Sequence, residues 1–178
     1  GTKLFSFGRN SYDIKSNYVI NCYKKFLKTY SSDCVNFINT GLYPTEIKKT
    51  IRKISRVEYD LILILSCMLS LHRFKIIDEL LKIKFDLGYA NFVGIGPGIE
   101  INILKNKLTN FQAYDTSVSE FIKKIYPKNI IKKKFSGTNK KFNSIFAVEL
   151  LEHLNNPYQL IDIFYKSLNK DGIAIVTT

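Results

Sequence analysis

The chain has 178 residues, of which 46% are hydrophobic, and it carries a formal net charge of +12. This length and composition exclude a disordered chain and are typical of one folded domain, alone or with a helical extension. Lysine supplies 23 of the 27 basic residues, as expected from an AT-biased coding sequence, so composition bias explains part of the charge.

The three cysteines, Cys22, Cys34 and Cys67, lack the paired spacing of metal ligands, and their odd number does not predict a disulfide framework. The apolar run at residues 61–71 is shorter than the roughly 20 residues that a membrane-spanning helix needs. The start of the chain contains no sustained apolar core of the kind that signal peptides carry. We therefore predict a cytoplasmic protein with no membrane span and no metal site.

Residues 1–85 predict a helical N-terminal region. Apolar residues recur at helical spacing from Asp13 to Tyr30, Pro44 indicates the start of a second helix, and residues 57–85 predict one long or twice-broken helix. We expect this region to pack against the rest of the chain, either covering its substrate side or only burying one face of a sheet. His72, at the end of an apolar helical stretch, is expected to be structural.

Residues 86–178 alternate short apolar runs with helical stretches. Strands are predicted near residues 91–95, 111–114, 129–133, 144–148 and 172–177, with helices near 100–107, 118–125 and 157–168. Such alternation predicts an α/β domain with a Rossmann-like, doubly wound and mostly parallel sheet. Ligands in these sheets bind at the carboxyl ends of the strands.

A glycine-rich turn follows the first predicted strand, in the sequence FVGIGPGIE at residues 92–100. Gly94, Gly96 and Gly98 let the backbone turn sharply and approach a ligand where a side chain would collide. Asp115 follows Gly96 by nineteen residues, where a carboxylate can accept hydrogen bonds from two ribose hydroxyls. The pattern predicts a nucleoside site, against two plainer alternatives: a glycine turn without a ligand, and Asp115 as a helix cap.

Two later segments add further motifs, so that four motifs follow one another in a characteristic order. Residues 142–157 read FNSIFAVELLEHLNNP, an apolar strand running into Leu-Glu-His-Leu, and residues 168–172 read LNKDG before the fifth strand. With the glycine turn and the Asp115-Thr116-Ser117 segment, this order resembles the class I S-adenosylmethionine-dependent methyltransferases over roughly residues 88–178. The resemblance implies S-adenosylmethionine as cofactor and S-adenosylhomocysteine as product. The cofactor-binding residues that it implies are Gly94, Ile95, Gly96, Gly98, Asp115, Thr116, Ala147 and Glu149.

The chain also departs from the family pattern. Members of the family usually carry an acidic residue at the position of Gly94 and a glycine at that of Glu100, so the turn has lost one carboxylate and gained another. The chain has no acidic residue between Ile130 and Phe142, where the family often places the one that contacts adenine, and Asn143 replaces a common aspartate. Since the family's sheet has seven strands, we expect its last strands to lie outside this sequence.

His153 is the candidate catalytic residue. It follows the fourth predicted strand, and an imidazole there can remove a proton from a hydroxyl or amine nucleophile. The alternative is a structural hydrogen bond, because the resembling family keeps this histidine in members with different chemistry. A sulfonium methyl group is already electrophilic, so the transfer asks the protein mainly for alignment.

We therefore predict an enzyme that transfers a methyl group to a small polar metabolite, such as a sugar or another hydroxyl compound, with an anionic acceptor as an option. One alternative is an RNA methyltransferase, because the segment Lys123–Lys141 contains eight lysines and no acidic residue. The other is a catalytically silent binding module that retains the fold. The sequence specifies no oligomeric state.

Overall fold

The computed structural model describes residues 16–41 and 55–178, and its contacts divide the chain into two compact units, Gly1–Leu71 and His72–Thr178. The helical region predicted for residues 1–85 is thus shared between the two units. The boundary falls at the start of a helix that belongs to the second unit. The Lys107 ammonium of that unit donates hydrogen bonds to the carbonyls of Leu81 and Ile83, at the C-terminal end of this helix.

The described part of the first unit is helical, as the sequence predicts. Helix α1 spans Ser16–Thr40 and helix α2 spans Arg56–Leu69, which begins at a capping box formed by Ser55 and Glu58. Cys22 and Tyr23 of α1 pack with Ile62 of α2 in a small buried cluster. The helix predicted to begin after Pro44 lies outside the described residues. Within residues 16–41 and 55–178, no helix is long and apolar enough to cross a bilayer.

The predicted long helix at residues 57–85 is broken once in the described chain, at Ser70. This residue has an extended backbone (ψ 123°), while its N–H still donates to the carbonyl of Ser66 and so ends α2. Helix α3, Leu71–Lys82, begins directly afterwards and buries Ile77 and Leu80. The break separates the two units, since α3 contributes its apolar face to the second one.

The second unit is an α/β layer structure built on five parallel strands. The strands are β1 Gly88–Val93, β2 Leu108–Asp115, β3 Ile130–Lys132, β4 Phe142–Val148 and β5 Leu168–Thr177. The helices between them are α4 Ile99–Leu104, α5 Glu120–Ile125 and α6 Pro157–Ser167, with short 3-10 helices at Lys105–Lys107 and Leu151–His153. The order β3-β2-β1-β4-β5 confirms the predicted Rossmann-like fold.

The core of this unit is aromatic. Leu160 and Phe164 of α6 pack against Phe135, Phe142 and other buried side chains on one side of the sheet. Within the sheet, the rings of Phe92 and Phe146 stack with their centroids 4.7 Å apart. Because β1, β4 and β5 are parallel neighbours, their carboxyl ends lie at the same edge of the sheet.

Strand β5 begins four residues before the predicted start at residue 172. Leu168 pairs with Phe142, whereas Ile173 already pairs with Ser144, so the intervening residues form an irregularity in the ladder. Asp171 has a left-handed backbone (φ 64°) there. Because such irregularities depend on pairing with a distant strand, local alternation does not predict them.

Candidate cofactor site

The three glycines of the turn after β1 have left-handed backbones. Gly94, Gly96 and Gly98 have φ values of 71°, 50° and 76°. The Gly94 N–H donates to the carbonyl of Tyr114 at 2.8 Å, and the Gly98 N–H donates to the carbonyl of Ile95 at 2.8 Å. Glycine is the residue that adopts these angles without strain, so the sequence spacing produces this turn directly.

Asp115 is hydrogen-bonded to this turn. Its Oδ2 accepts the Gly96 N–H at 3.0 Å, and its Oδ1 accepts the Ser117 N–H at 2.8 Å. An ionised carboxylate offers about four acceptor positions, so roughly two remain on this half-buried side chain. The alternative role of Asp115, as the cap of the next helix, is wrong, because the hydroxyl of Ser119 accepts the Ile122 N–H and caps α5.

Packing explains why positions 94 and 98 of the turn are glycine. A Cβ on Gly98 would lie 2.5 Å from Cδ1 of Ile122, and a Cβ on Gly94 would lie 2.8 Å from Cδ1 of Leu150. The acidic residue that the resembling family carries at the position of Gly94 would therefore have to displace Leu150. The absence of that carboxylate is a consequence of local packing.

Glu149 stands at the carboxyl end of β4 in a left-handed conformation (φ 52°), which is uncommon for a residue with a side chain. Its N–H donates to the Thr177 carbonyl at 3.1 Å, and the Thr177 hydroxyl donates to its Oε1 at 3.0 Å. Its Oε2 lies 3.0 Å from His72 Nε2 and 3.8 Å from Arg73 Nε. The carboxylate thus joins the end of β5 to the start of α3.

His72 has a different place from the one predicted. It lies in the first turn of α3 instead of ending a helix, and its imidazole contacts Glu149. Arg73 and Thr177 were also missed by the sequence interpretation. Because 77 residues separate His72 from Glu149, no local spacing indicates that they meet.

The other residues predicted for the site differ in how exposed they are. Ile95 is buried beside the turn, Ala147 lies fully inside the core cluster, and Thr116 is exposed next to Asp115. The His153 imidazole is 57% exposed, with its Nε2 3.9 Å from Glu152 Oε1. Their roles in binding and catalysis stay predictions. Residues 16–41 and 55–178 contain no group of three or more side chains arranged to hold a metal ion.

Glu100, in the first turn of α4, has an unusual electrostatic environment. Burial raises the pKa of its carboxyl above the ordinary value of 4.5; Arg73 opposes this rise and Glu149 adds to it. The three charged groups therefore influence one another at the carboxyl ends of β1 and β4. This location extends the site beyond the residues that the sequence predicts for it.

We expect Glu100→Gln to stabilise the protein at neutral pH. Because the folded-state pKa of Glu100 is raised, the folded protein holds the Glu100 proton more tightly than the unfolded chain does. The contribution of protonated Glu100 to stability is therefore complete below its ordinary pKa. This contribution is lost as the pH rises through the folded-state pKa. The variant should therefore melt at a higher temperature than the wild-type protein at pH 7, and the difference should shrink as the pH falls to 4. Melting curves that differ equally at pH 4 and pH 7 would contradict this account.

The lysine-rich segment, Lys123–Lys141, has exposed charges but no fully exposed aromatic side chain. All eight lysines between residues 123 and 141 are exposed. Of the aromatic residues from 121 to 142, Phe135 and Phe142 are buried in the core, and Phe121 and Tyr126 are half-buried. Aromatic side chains that could stack on bases are therefore occupied with packing in this segment.

Comparison with known proteins finds several solved structures that are similar to part of this chain. The chain is similar to S-adenosylmethionine-dependent methyltransferases of known structure. One, from Clostridium acetobutylicum, is 15% identical, with a TM-score of 0.45 over 87% of this chain and 56% of that chain. The plantazolicin methyltransferase BpumL in complex with SAH is 17% identical, with a TM-score of 0.43 over 73% of this chain and 61% of that one.

A methyltransferase from Geobacter sulfurreducens, in complex with S-adenosyl-L-homocysteine, is 12% identical, with a TM-score of 0.43 over 60% of this chain and 47% of that chain. This chain thus spans about half the length of the solved structures that it matches. No protein-family model and no curated protein matches it.

Proposed function

We propose that this chain binds S-adenosylmethionine at the carboxyl ends of β1, β2 and β4 and is a methyltransferase. The observation that carries the proposal is the hydrogen bond between the Gly96 N–H and Asp115 Oδ2. It brings a turn with glycine at three positions and a carboxylate with unused acceptor positions to one place. That combination suits the ribose and neighbouring atoms of a nucleoside cofactor.

The residues present fit this cofactor at the ribose. Gly94, Gly96 and Gly98 provide the sharp backbone turn, and the Cβ directions of Gly94 and Gly98 are filled by Leu150 and Ile122. The Asp115 carboxylate can accept hydrogen bonds from the ribose hydroxyls while it keeps both of its backbone partners. Around β3 the fit is weaker, because residues 130–142 offer no carboxylate to adenine.

When bound, S-adenosylmethionine supplies an electrophilic methyl group on a sulfonium. The chain's own contribution is to hold the donor, align the acceptor and accept a proton. We propose His153 for the last role, because its imidazole is exposed just after β4, beside the carboxylate of Glu152. Ile95, Thr116 and Ala147 are proposed to line the cofactor through backbone or side-chain contacts, as the family resemblance implies.

We propose a small polar molecule as the methyl acceptor, with a hydroxyl compound such as a sugar as the first candidate. An open groove supports a small polar acceptor, because polar side chains line it together with apolar ones. These polar residues are His72, Lys75 and Glu79 of α3 and Thr177 of β5. Two of these residues also contact Glu149. The RNA alternative finds less support, because the aromatic residues of the lysine-rich segment are packed inward.

Calorimetric titration with S-adenosylmethionine and S-adenosylhomocysteine tests the proposal. We expect both to bind and to raise the melting temperature, with ATP at equal concentration as a control that lacks the amino-acid part. Absence of heat and of thermal stabilisation at millimolar concentrations would contradict the proposal. Binding without methyl transfer to a panel of hydroxyl compounds would favour the silent module, and transfer to RNA from labelled donor would favour the RNA enzyme.

A further inference from the structure

We infer that His72 is a general base for an acceptor hydroxyl bound in the groove that α3 and β5 line, and that Glu149 is the positioning residue that orients its imidazole. This inference rests on the proposed function. It adds a second proton acceptor to His153, because His153 does not line this groove. The sequence interpretation expected only a structural role for His72.

The first support is the hydrogen bond between the His72 imidazole and the Glu149 carboxylate. His72 Nε2 lies 3.0 Å from Glu149 Oε2. An ionised carboxylate can only accept hydrogen bonds, so Nε2 carries the proton and the lone pair of the neutral imidazole lies on Nδ1. Among residues 16–41 and 55–178, no hydrogen-bond partner occupies Nδ1. One basic nitrogen is therefore available to a ligand.

The second support is the fixed position of the Glu149 carboxylate. The Glu149 N–H donates to the carbonyl and hydroxyl oxygens of Thr177, and its Oε1 accepts the Thr177 hydroxyl. The Glu149 side chain is only 11% exposed, whereas that of His72 is 58% exposed. A nearly buried carboxylate thus orients an imidazole that ligands can reach, and such a partner raises the basicity of a histidine.

His153 has nearly the same exposure without such a partner. Its side chain is 57% exposed, and its Nε2 lies 3.9 Å from Glu152 Oε1, beyond hydrogen-bond distance. The chain contains only these two histidines, so each serves as an internal reference for the other. The hydrogen bond to a carboxylate is the feature that distinguishes His72.

The third support is the groove that His72 lines. Its volume is about 370 Å³, within the range of small-molecule sites. Ile76 and Ile175 give it an apolar wall, and Thr177 belongs both to the groove and to the hydrogen bonds of Glu149. An acceptor whose apolar part lies on this wall therefore occupies the same groove as the imidazole.

His72 takes one proton in each transfer. Its Nδ1 accepts the proton of the acceptor hydroxyl as the hydroxyl oxygen forms a bond to the methyl carbon and the carbon–sulfur bond breaks, with the electron pair of that bond going to sulfur. The positive charge of the sulfonium is thus replaced by that of the imidazolium, which the Glu149 carboxylate stabilises. The exposed ring then releases this proton to solvent.

Nitrogen NMR of the protein without ligand tests the orientation of the imidazole. We expect the neutral His72 ring to carry its proton on Nε2, whereas the His153 ring should populate both tautomers. The variant His153→Gln assigns the two sets of signals. A His72 ring that carries its proton on Nδ1 would overturn the inference.

Acylation by diethyl pyrocarbonate measures the reactivity of the two rings at nearly equal exposure. At pH 8 we expect His72 to react roughly threefold or more faster than His153, because the carboxylate raises the electron density of the ring. Glu149→Gln should remove this difference. Glu120→Gln, which removes an exposed carboxylate in the same unit, is the control and should preserve it. Equal rates in the wild-type protein would count against a poised base.

Methyl transfer from labelled S-adenosylmethionine to D-glucose and 4-hydroxybenzoate tests the catalytic role. We expect His72→Ala to lower kcat by about 100-fold or more while the KM for the acceptor changes less than about twofold. Added imidazole should restore part of the rate, which it would not do for a purely structural residue. Unchanged kcat in His72→Ala, with a loss in His153→Gln, would overturn the inference and leave His153 as the base.

The measurements separate the possible failures. A wrong tautomer or equal acylation rates overturn the inference while cofactor binding, and with it the proposed function, stands. If the wild-type protein does not bind S-adenosylmethionine, the proposed function fails and the inference fails with it.

Discussion

Replacing Asp115 with alanine should weaken S-adenosylmethionine binding by about tenfold or more, the effect of losing one or two hydrogen bonds to a charged group. The same change removes the acceptor for the Gly96 and Ser117 N–H groups. We therefore also expect the free energy of unfolding to fall by about 1 to 3 kcal/mol, the cost of leaving partly buried donors without partners. Calorimetric titration and urea unfolding measure the two effects separately.

Two further variants separate binding from folding at this position. Asp115→Asn keeps the shape of the side chain and one carbonyl oxygen, so it should lose less stability than the alanine variant while still binding the cofactor weakly. Asp162→Asn removes an exposed carboxylate on α6 and should change neither quantity. Unchanged cofactor affinity in both Asp115 variants would remove this residue from the site.

Gly98→Ala should destabilise the second unit by about 2 to 4 kcal/mol. A left-handed backbone with a Cβ costs about 1 to 2 kcal/mol, and displacing a well-packed core side chain adds a similar amount. The new methyl group would lie 2.5 Å from Cδ1 of Ile122, which is completely buried and has little room to move. Because the turn must shift to relieve this contact, cofactor binding should weaken in parallel.

Gly137→Ala is the matched control. Gly137 also has a left-handed backbone (φ 95°), but its added Cβ would meet Cγ2 of Ile163 at 3.6 Å, an ordinary contact. It should show only the backbone cost, about 1 to 2 kcal/mol, and bind the cofactor normally. Equal losses of stability in the two variants would show that packing against Ile122 contributes nothing.

The ribose side of the candidate site could be predicted from the sequence because each part of it is local. Three glycines within five residues specify the turn, and the nineteen residues from Gly96 to Asp115 cover one helix and one strand. In a parallel β-α-β unit this spacing brings both ends to the same edge of the sheet. The hydrogen bond between Gly96 and Asp115 therefore follows from the geometry of the β-α-β unit.

The charged side of the site could not be predicted in this way. Glu149 meets Thr177 because β4 and β5 are neighbours in register, and it meets His72 because α3 begins near the ends of those strands. None of these partners has a spacing that a local pattern specifies. The same holds for the early start of β5, which depends on pairing with β4.

The sequence by itself determined the alternation of strands and helices, the glycine turn and the place of Asp115, because backbone preference and hydrophobic period act over a few residues. Only the tertiary structure decided the conformation of Glu149, its contacts with His72 and Arg73, and the exclusion of a side chain at Gly94. These features arise from side chains that are distant in the chain and compete for the same space.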